Sequence, residues 1–295
     1  MLTVWWFALA AGSALVFGLA GLLMKVSQMR EGALSPMLLG LYASGTCGFW
    51  LQAALSENWA PLDYRIWIAG AIIGLGSAWG NLLFMKALEC GPASLTSPLT
   101  NSNIVLVVAM GALFYKEPVH PAAITGVAAL LAAVVLLSVK PGGSSKEANR
   151  RWFALVTAAT LLFAFRNGGL KVTEEIGLDN ASVLWSGYLL SFLWFGVLSL
   201  RDRLKADGSS GRVSSPASVR TGLAWGLAAG VCSYGGLQLY SAALREGPSH
   251  LVAPIFATNS LVVALGSFLI YGEKLGPAQR LAFVLLLLGL ALVRI

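Results

Sequence analysis

An all-α integral membrane protein, with ten transmembrane helices arranged as two inverted five-helix repeats, is what this 295-residue sequence predicts. Three observations lead there. First, 57% of the residues are hydrophobic and 11% charged, with a mean hydropathy of +0.75. Soluble domains carry about 25% charged residues; a soluble core does not hide this much apolar surface, so the solvent is lipid. Second, the apolar runs approach the roughly 20 residues that a spanning helix needs. Third, the chain repeats itself.

In order, the runs predict spans over Thr3–Val26, Ser35–Leu55, Tyr64–Glu89, Ala93–Tyr115, Pro121–Val139, Arg151–Val172, Ala181–Leu200, Ser218–Arg245, Ser249–Tyr271 and Pro277–Arg294. The first begins without a preceding basic stretch and is longer than a signal-peptide core, so it is expected to stay in the membrane. Most connections are short and carry Gly or Pro, such as Gly91-Pro92 and Gly247-Pro248. Lys140–Arg150 and Arg201–Val219 are longer and polar, yet too short for a soluble domain.

The duplication is clearest between Ala87–Glu117 and Ala243–Glu273, which align without a gap at an offset of 156. Gly91/Gly247, Pro92/Pro248, Pro98/Pro254, Asn103/Asn259, Tyr115/Tyr271 and Glu117/Glu273 are identical. Polar and helix-breaking residues in register mean duplication rather than shared greasiness. Trp6-Phe7-Ala8-Leu9 recurs as Trp152-Phe153-Ala154-Leu155 at an offset of 146, which also pairs Lys25 with Lys171 and Tyr42 with Tyr188. The offset grows by ten between these blocks, and the loop at Gly208–Gly211 is the natural place for the insertion. Five spans per copy is an odd number, so the second copy enters the membrane from the opposite side, and two such halves can alternate access to a site between them.

The Ala87-Leu88-x-x-Gly91-Pro92-Ala93-Ser94 run, followed by Pro98-Leu99, an apolar stretch and Glu117, resembles the EamA-type branch of the drug/metabolite transporter superfamily, and Ala243–Glu273 is a weaker copy. The resemblance extends over essentially the whole chain. It implies residues 1–140 as a first EamA-like repeat, 141–150 as a linker and 151–295 as a second. It further implies a multi-pass carrier of small metabolites (amino acids, sugars, nucleobases or organic anions) in the cell (inner) membrane, with a central cavity from which the fifth and tenth helices stand apart. A monomer or homodimer is expected.

Polar groups inside spans are costly and therefore informative. Arg166 lies about fourteen residues into the sixth span, followed by Asn167-Gly168-Gly169. An arginine at that depth costs about 2.5–3.5 kcal/mol on insertion scales; it is either an anchor for a carboxylate or phosphate, or a side chain paired with carbonyls or snorkelling outward. Its counterpart in the first copy is Ala20. Lys25 and Lys171 are interfacial anchors or gates, and Lys86, replaced by Ala242 in the second copy, adds positive charge. Pro98 and Pro254 are expected to kink the fourth and ninth spans and to act in gating, because proline clashes with the carbonyl four residues earlier. Asn103 and Asn259 either bind substrate or join helices. Trp79, Asn81, Tyr42, Tyr188, Trp185, Tyr234 and Gln238 are further cavity candidates, since aromatic faces with a polar handle suit organic ligands. Trp5, Trp6 and Trp152 are expected in interface belts, and Gly76-x-x-x-Gly80 is read as a packing motif.

The net charge of +7 is read as basic loops facing anionic lipid rather than nucleic acid. Cys47, Cys90 and Cys232 lack metal-ligand spacing and are read as packing residues. His120 and His250 stand near span ends, so no metal site or cofactor is expected. No span carries an acidic residue at mid-depth, which tilts the cargo toward anionic, zwitterionic or neutral compounds. An enzyme would need a nucleophile with its base, or metal ligands, at one depth, and the chain offers neither. A non-transporting receptor or scaffold is the alternative. The positive-inside rule places both termini outside the cytoplasm, whereas the resemblance implies termini inside.

Overall fold

The computed structural model describes residues 5–56, 59–114, 121–139, 146–208, 215–246, 255–256, 258–272 and 276–292. Among these residues the regular structure is entirely helical: α1 (Trp5–Met29), α2 (Leu34–Ala54), α3 (Tyr64–Cys90), α4 (Ala93–Asn101), α5 (Ile104–Phe114), α6 (Pro121–Val139), α7 (Lys146–Glu175), α8 (Asn180–Gly208), α9 (Pro216–Glu246), α10 (Asn259–Tyr271) and α11 (Pro277–Leu292). Four stretches are long and apolar enough to cross a membrane: Trp5–Met29, Tyr64–Cys90, Arg150–Leu170 and Asn180–Asp202, with mean hydropathies between 1.4 and 2.1.

Local chemistry sets the ends. Asp63 caps α3 by accepting from the Arg65 amide, and the Arg65 guanidinium hydrogen-bonded back to it holds its carboxyl below the usual carboxylate range. Pro121, Pro216 and Pro277 each open a helix, where the missing N–H costs nothing. Gly272 closes α10 in the left-handed region, its amide bonded to Phe268 O, a turn that favours glycine.

The expected continuous fourth span is divided. The helix continues through Pro98 and stops at Asn101, and α5 starts at Ile104. The proline removes one backbone bond; the interruption falls instead at Ser102-Asn103, where side chains capture the carbonyls.

Among the described residues, every extensive helix pair joins an element before Val139 to one after Lys146: α1 with α9, α2 with α9 and α8, α3 with α7 and α8, α6 with α11, and α4 with α10. Exchanging the first five spans with the second five maps α1·α9 onto α7·α3, α2·α9 onto α8·α3, and α1·α10 onto α7·α4, all of which are present. The match extends to residues. A Cβ on Gly230 would stand 2.2 Å from Leu41 O, and one on Gly74 would stand 2.6 Å from Gly187 O; Gly74/Gly230 and Leu41/Gly187 correspond at the two sequence offsets. Tyr42 and its counterpart Tyr188 pack on each other, ring centroids 5.1 Å apart. On α9, Gly222, Gly226 and Gly230 face the backbone of Ala33, Met37 and Leu41 in turn, a small-residue face that lets two helices approach closely. Gly76 and Gly80 lie likewise against Leu162 and Phe163 of α7.

Trp152 is not a belt residue. It is 7% exposed, its Nε1 donates to Thr96 Oγ1 at 2.9 Å, and its ring lies against Gly91, so it clamps α7 onto the turn that opens α4. Trp5, 59% exposed, keeps a surface position. Cys90 and Cys232 are half-buried, whereas Cys47 is exposed rather than packed.

Three outcomes follow. Gly226→Ala forces a methyl to 2.0 Å from Met37 O and is expected to cost about 1–3 kcal/mol, visible as a lower midpoint of thermal unfolding in detergent. Gly196→Ala, whose nearest neighbour would be Leu39 Cδ1 at 3.8 Å, leaves that midpoint unchanged. Trp152→Phe loses the bond to Thr96 and is expected to cost on the order of 1 kcal/mol by the same measurement; an unchanged midpoint contradicts the clamp.

Candidate substrate site

The site grows out of the interruption between α4 and α5. Ser102 Oγ donates to Leu99 O (2.6 Å) and Asn103 Nδ2 to Thr100 O (2.7 Å). Their amides bond the same two carbonyls at 3.1 and 3.3 Å, three residues back instead of four. Serine and asparagine side chains that bond nearby backbone compete with the helix, and two in succession end it. The same chemistry stands 156 residues later. Thr258 Oγ1 donates to Ile255 O (2.6 Å), Asn259 Nδ2 to Phe256 O (2.8 Å), and the Thr258 amide to Ile255 O (3.0 Å).

The two interruptions meet. Asn101 Nδ2 donates to Asn259 Oδ1 at 3.0 Å and also reaches Ser260 Oγ. Beside this junction lies a cavity of about 70 Å³, lined by residues of α1, α2, α3, α4, α7, α9 and α10 together with Asn103. Its polar lining comes from Asn81, Ser97, Thr100, Asn101, Asn103 and Asn259, with Ser233 and Arg166; Phe17, Phe84 and Phe163 supply aromatic faces. Among the described residues, none of α6 or α11 lines it.

Arg166 is half-buried at the cavity wall. Its Nε donates to Asn167 Oδ1 at 3.1 Å, and its guanidinium carbon sits 4.9 Å from the centre of the Phe163 ring, within cation–π reach. Among the described residues no carboxylate lies within 4.0 Å of it; the ion pair there is Arg65–Asp63. Its side chain thus lies between the Asn167 amide oxygen and the Phe163 ring. Asn167 does not line the cavity. It links Arg166 to the helix interruption, its Nδ2 donating to Asn103 Oδ1 at 2.7 Å.

Of the other sequence candidates, Asn81, Asn103 and Asn259 reach the cavity. Tyr42 stands behind it, its hydroxyl accepting from Asn81 Nδ2 (2.9 Å) and meeting Ser77 Oγ (3.0 Å). Tyr188 packs on Tyr42 and Phe49 and reaches Ser233 at 3.4 Å. Tyr234 packs on Phe49, and Gln238 bonds Gln52. Trp79 is exposed beside Trp194, and Trp185 joins a cluster with Trp59 and Trp67. Lys86 is half-buried on α3. Lys25, 8% exposed, donates from Nζ to Leu88 O at 2.9 Å, and Gln28 bonds Met85 O one turn away, so the end of α1 is tied to the end of α3. Pro98 is buried within α4. Pro254 lies outside the described residues, as does the side chain of Lys171. Sequence reasoning passed over Ser97, Thr100, Asn101 and Ser233; the run Thr96-Ser97-Pro98-Leu99-Thr100-Asn101-Ser102-Asn103, polar in the middle of a span, was the available signal.

Comparison with known proteins agrees with this architecture. The profile of the EamA-like transporter family matches residues 4–139 and 188–295. The chain is 36% identical over 111 residues to a probable 4-amino-4-deoxy-L-arabinose-phosphoundecaprenol flippase subunit ArnE of Yersinia pseudotuberculosis, a match that covers 35% of this chain and 96% of that protein. The ArnE protein of Proteus mirabilis is 31% identical over 74 residues, covering 25% of this chain and 64% of its own. A crystal structure superposes with a TM-score of 0.59 over 95% of this chain and 97% of the other, at 16% identity, which speaks for the fold alone. The chain belongs to the EamA-like transporter family and is an integral membrane protein of the transporter class.

Proposed function

We propose that this protein is an alternating-access carrier that moves a small organic anion, a metabolite bearing a carboxylate or phosphate, across the inner membrane, with Arg166 as the anchor of the anionic group. One observation carries the reading: Arg166 faces a cavity rich in amides and hydroxyls, with no carboxylate within 4.0 Å among the described residues. A guanidinium held in low dielectric without a counter-charge favours a ligand that brings one. Asn81, Asn101, Asn103 and Asn259 offer donors and acceptors to hydroxyl or amine groups of the same ligand, and the phenylalanines accept its apolar part.

In this reading residues 1–140 and 151–295 are two inverted five-helix halves joined by 141–150. The exchange-symmetric helix pairing and the duplicated interruption support it. Ligand sites span about 300–1,000 Å³, so a cavity of about 70 Å³ holds a few waters and corresponds to a nearly closed state that opens by movement of one half against the other. The relatives' name carries a phosphate-linked sugar, which is consistent with an oxyanion site. Their name also says subunit, and the ArnE protein of Yersinia is less than half as long as this chain, consistent with two such units in one polypeptide here.

The test is uptake and efflux of labelled amino acids, sugars, nucleobases and organic anions in proteoliposomes. Arg166→Ala is expected to lower transport of the anionic cargo at least tenfold, the loss of a charge-assisted bond of about 1.5–3 kcal/mol, with Arg166→Lys intermediate. Unchanged anion transport by Arg166→Ala would remove the anchor. Failure of the wild type to transport anything would favour a receptor or scaffold.

A further inference from the structure

We propose that Asn167 is the positioning residue of this site: it turns the Arg166 guanidinium so that its terminal Nη edge, rather than its Nε edge, meets a bound oxyanion. The inference rests on the anion reading above and adds to it a specificity device. A guanidinium offers two edges for bidentate pairing, Nε with one Nη or the two Nη groups together. Asn167 Oδ1 occupies Nε at 3.1 Å. The guanidinium carbon lies over the Phe163 ring, 4.9 Å from its centre. Asn167 is itself fixed, because its Nδ2 donates to Asn103 Oδ1 (2.7 Å) and Asn103 Nδ2 donates to Thr100 O (2.7 Å). Arg166 is thereby aimed through two amides that are anchored at the α4–α5 interruption.

The residue type matters. An aspartate at 167 would accept from Nε equally well, yet would neutralise the guanidinium on the spot. An asparagine orients the cation without cancelling its charge, so the full charge remains for the cargo. The matching ligand group carries two oxygens on one carbon or phosphorus, a carboxylate or a phosphoryl group.

The experiment measures uptake of succinate and of glycerol 3-phosphate by the full chain in proteoliposomes, for wild type, Asn167→Asp, Asn167→Ala and Arg166→Ala. The positioning role predicts a KM for the transported oxyanion raised about tenfold in Asn167→Asp, a smaller rise in Asn167→Ala, and a maximal rate within about twofold of wild type in both. A merely structural role predicts the reverse order, because aspartate keeps the shape and the Nε contact while alanine loses both. Asn167→Asp equal to wild type, or milder than Asn167→Ala, overturns the proposal while leaving the Arg166 anchor standing. Wild type that transports neither compound, or Arg166→Ala that transports as wild type, overturns the anion reading and this role together. Should Asn167→Asp not yield a monodisperse protein, Asn167→Ala and Asn103→Ala carry the test: each is expected to raise KM severalfold, and wild-type KM in both overturns the relay. Whether succinate or glycerol 3-phosphate is taken up separates a carboxylate from a phosphoryl cargo.

Discussion

The contact on which everything else depends is the approach of helix backbone to helix backbone across the middle of the chain. Lipid tails are as apolar as leucine, so greasy side chains alone give helices no reason to associate in a membrane; close packing at small residues does. Gly226 and Gly230 against Met37 and Leu41, and Gly70 and Gly74 against Ser186 and Gly187, provide that approach. All four contacts cross from the first five spans to the last five, and contacts among helices within either set are sparse by comparison. The interior, with Tyr42, Phe49, Tyr188 and Phe195 at its centre, exists only where the two sets meet. A cavity between them follows from the same arrangement, because the meeting surface is where helices can part.

Within that surface the interrupted helices concentrate polar chemistry at membrane depth. A helix broken in hydrocarbon leaves carbonyls that something must satisfy. Here Ser102, Asn103, Thr258 and Asn259 do so with their own side chains, and the amide atoms not used in that task reach outward. Asn103 Oδ1 takes up Asn167, and Asn259 Oδ1 takes up Asn101. The capping residues are thus also the connectors between elements, which ties the geometry of the site to the breaks themselves. The asymmetry lies on the facing helices: α7 brings Arg166 and Asn167, where α1 brings Ala20 and Gly21. One copy keeps a charge and the other a glycine packed on a side chain, where a Cβ on Gly21 would stand 3.0 Å from Val263 Cγ2.

Much of this was legible in the residues. The all-helical class follows from composition, the register of the duplication from identical polar positions, and α6 from its opening proline and uninterrupted apolar run, whose bounds match the structure. Arg166, Asn81, Asn103 and Asn259 stood out because a polar group in an apolar span needs a reason. The interruption at Ser102-Asn103 went unread beside Pro98, since proline is the louder signal; the quieter pair ends the helix through side-chain bonds that no propensity encodes. Ser97, Thr100 and Ser233 were passed over because hydroxyls in helices ordinarily bond their own preceding turn, although the polar run around Ser97 and Thr100 marked the place. Trp152 looked like Trp5 and Trp6 in sequence, yet Thr96 on a distant helix gives its indole N–H a buried partner. Tyr42 and Tyr188 are placed one layer behind the cavity by each other, a tertiary fact that no window of sequence contains.

The proposed inversion of the two halves is tested most directly by the sidedness of equivalent loops. Arg30, after α1, and Ile176, after α7, are exposed and correspond at the offset of 146. In a chain whose three native cysteines are replaced by serine, single cysteines at these two positions are labelled with a membrane-impermeant maleimide in oriented vesicles, before and after permeabilisation. The account predicts that one is labelled only from outside and the other only after permeabilisation. Labelling of both from the same face would contradict it.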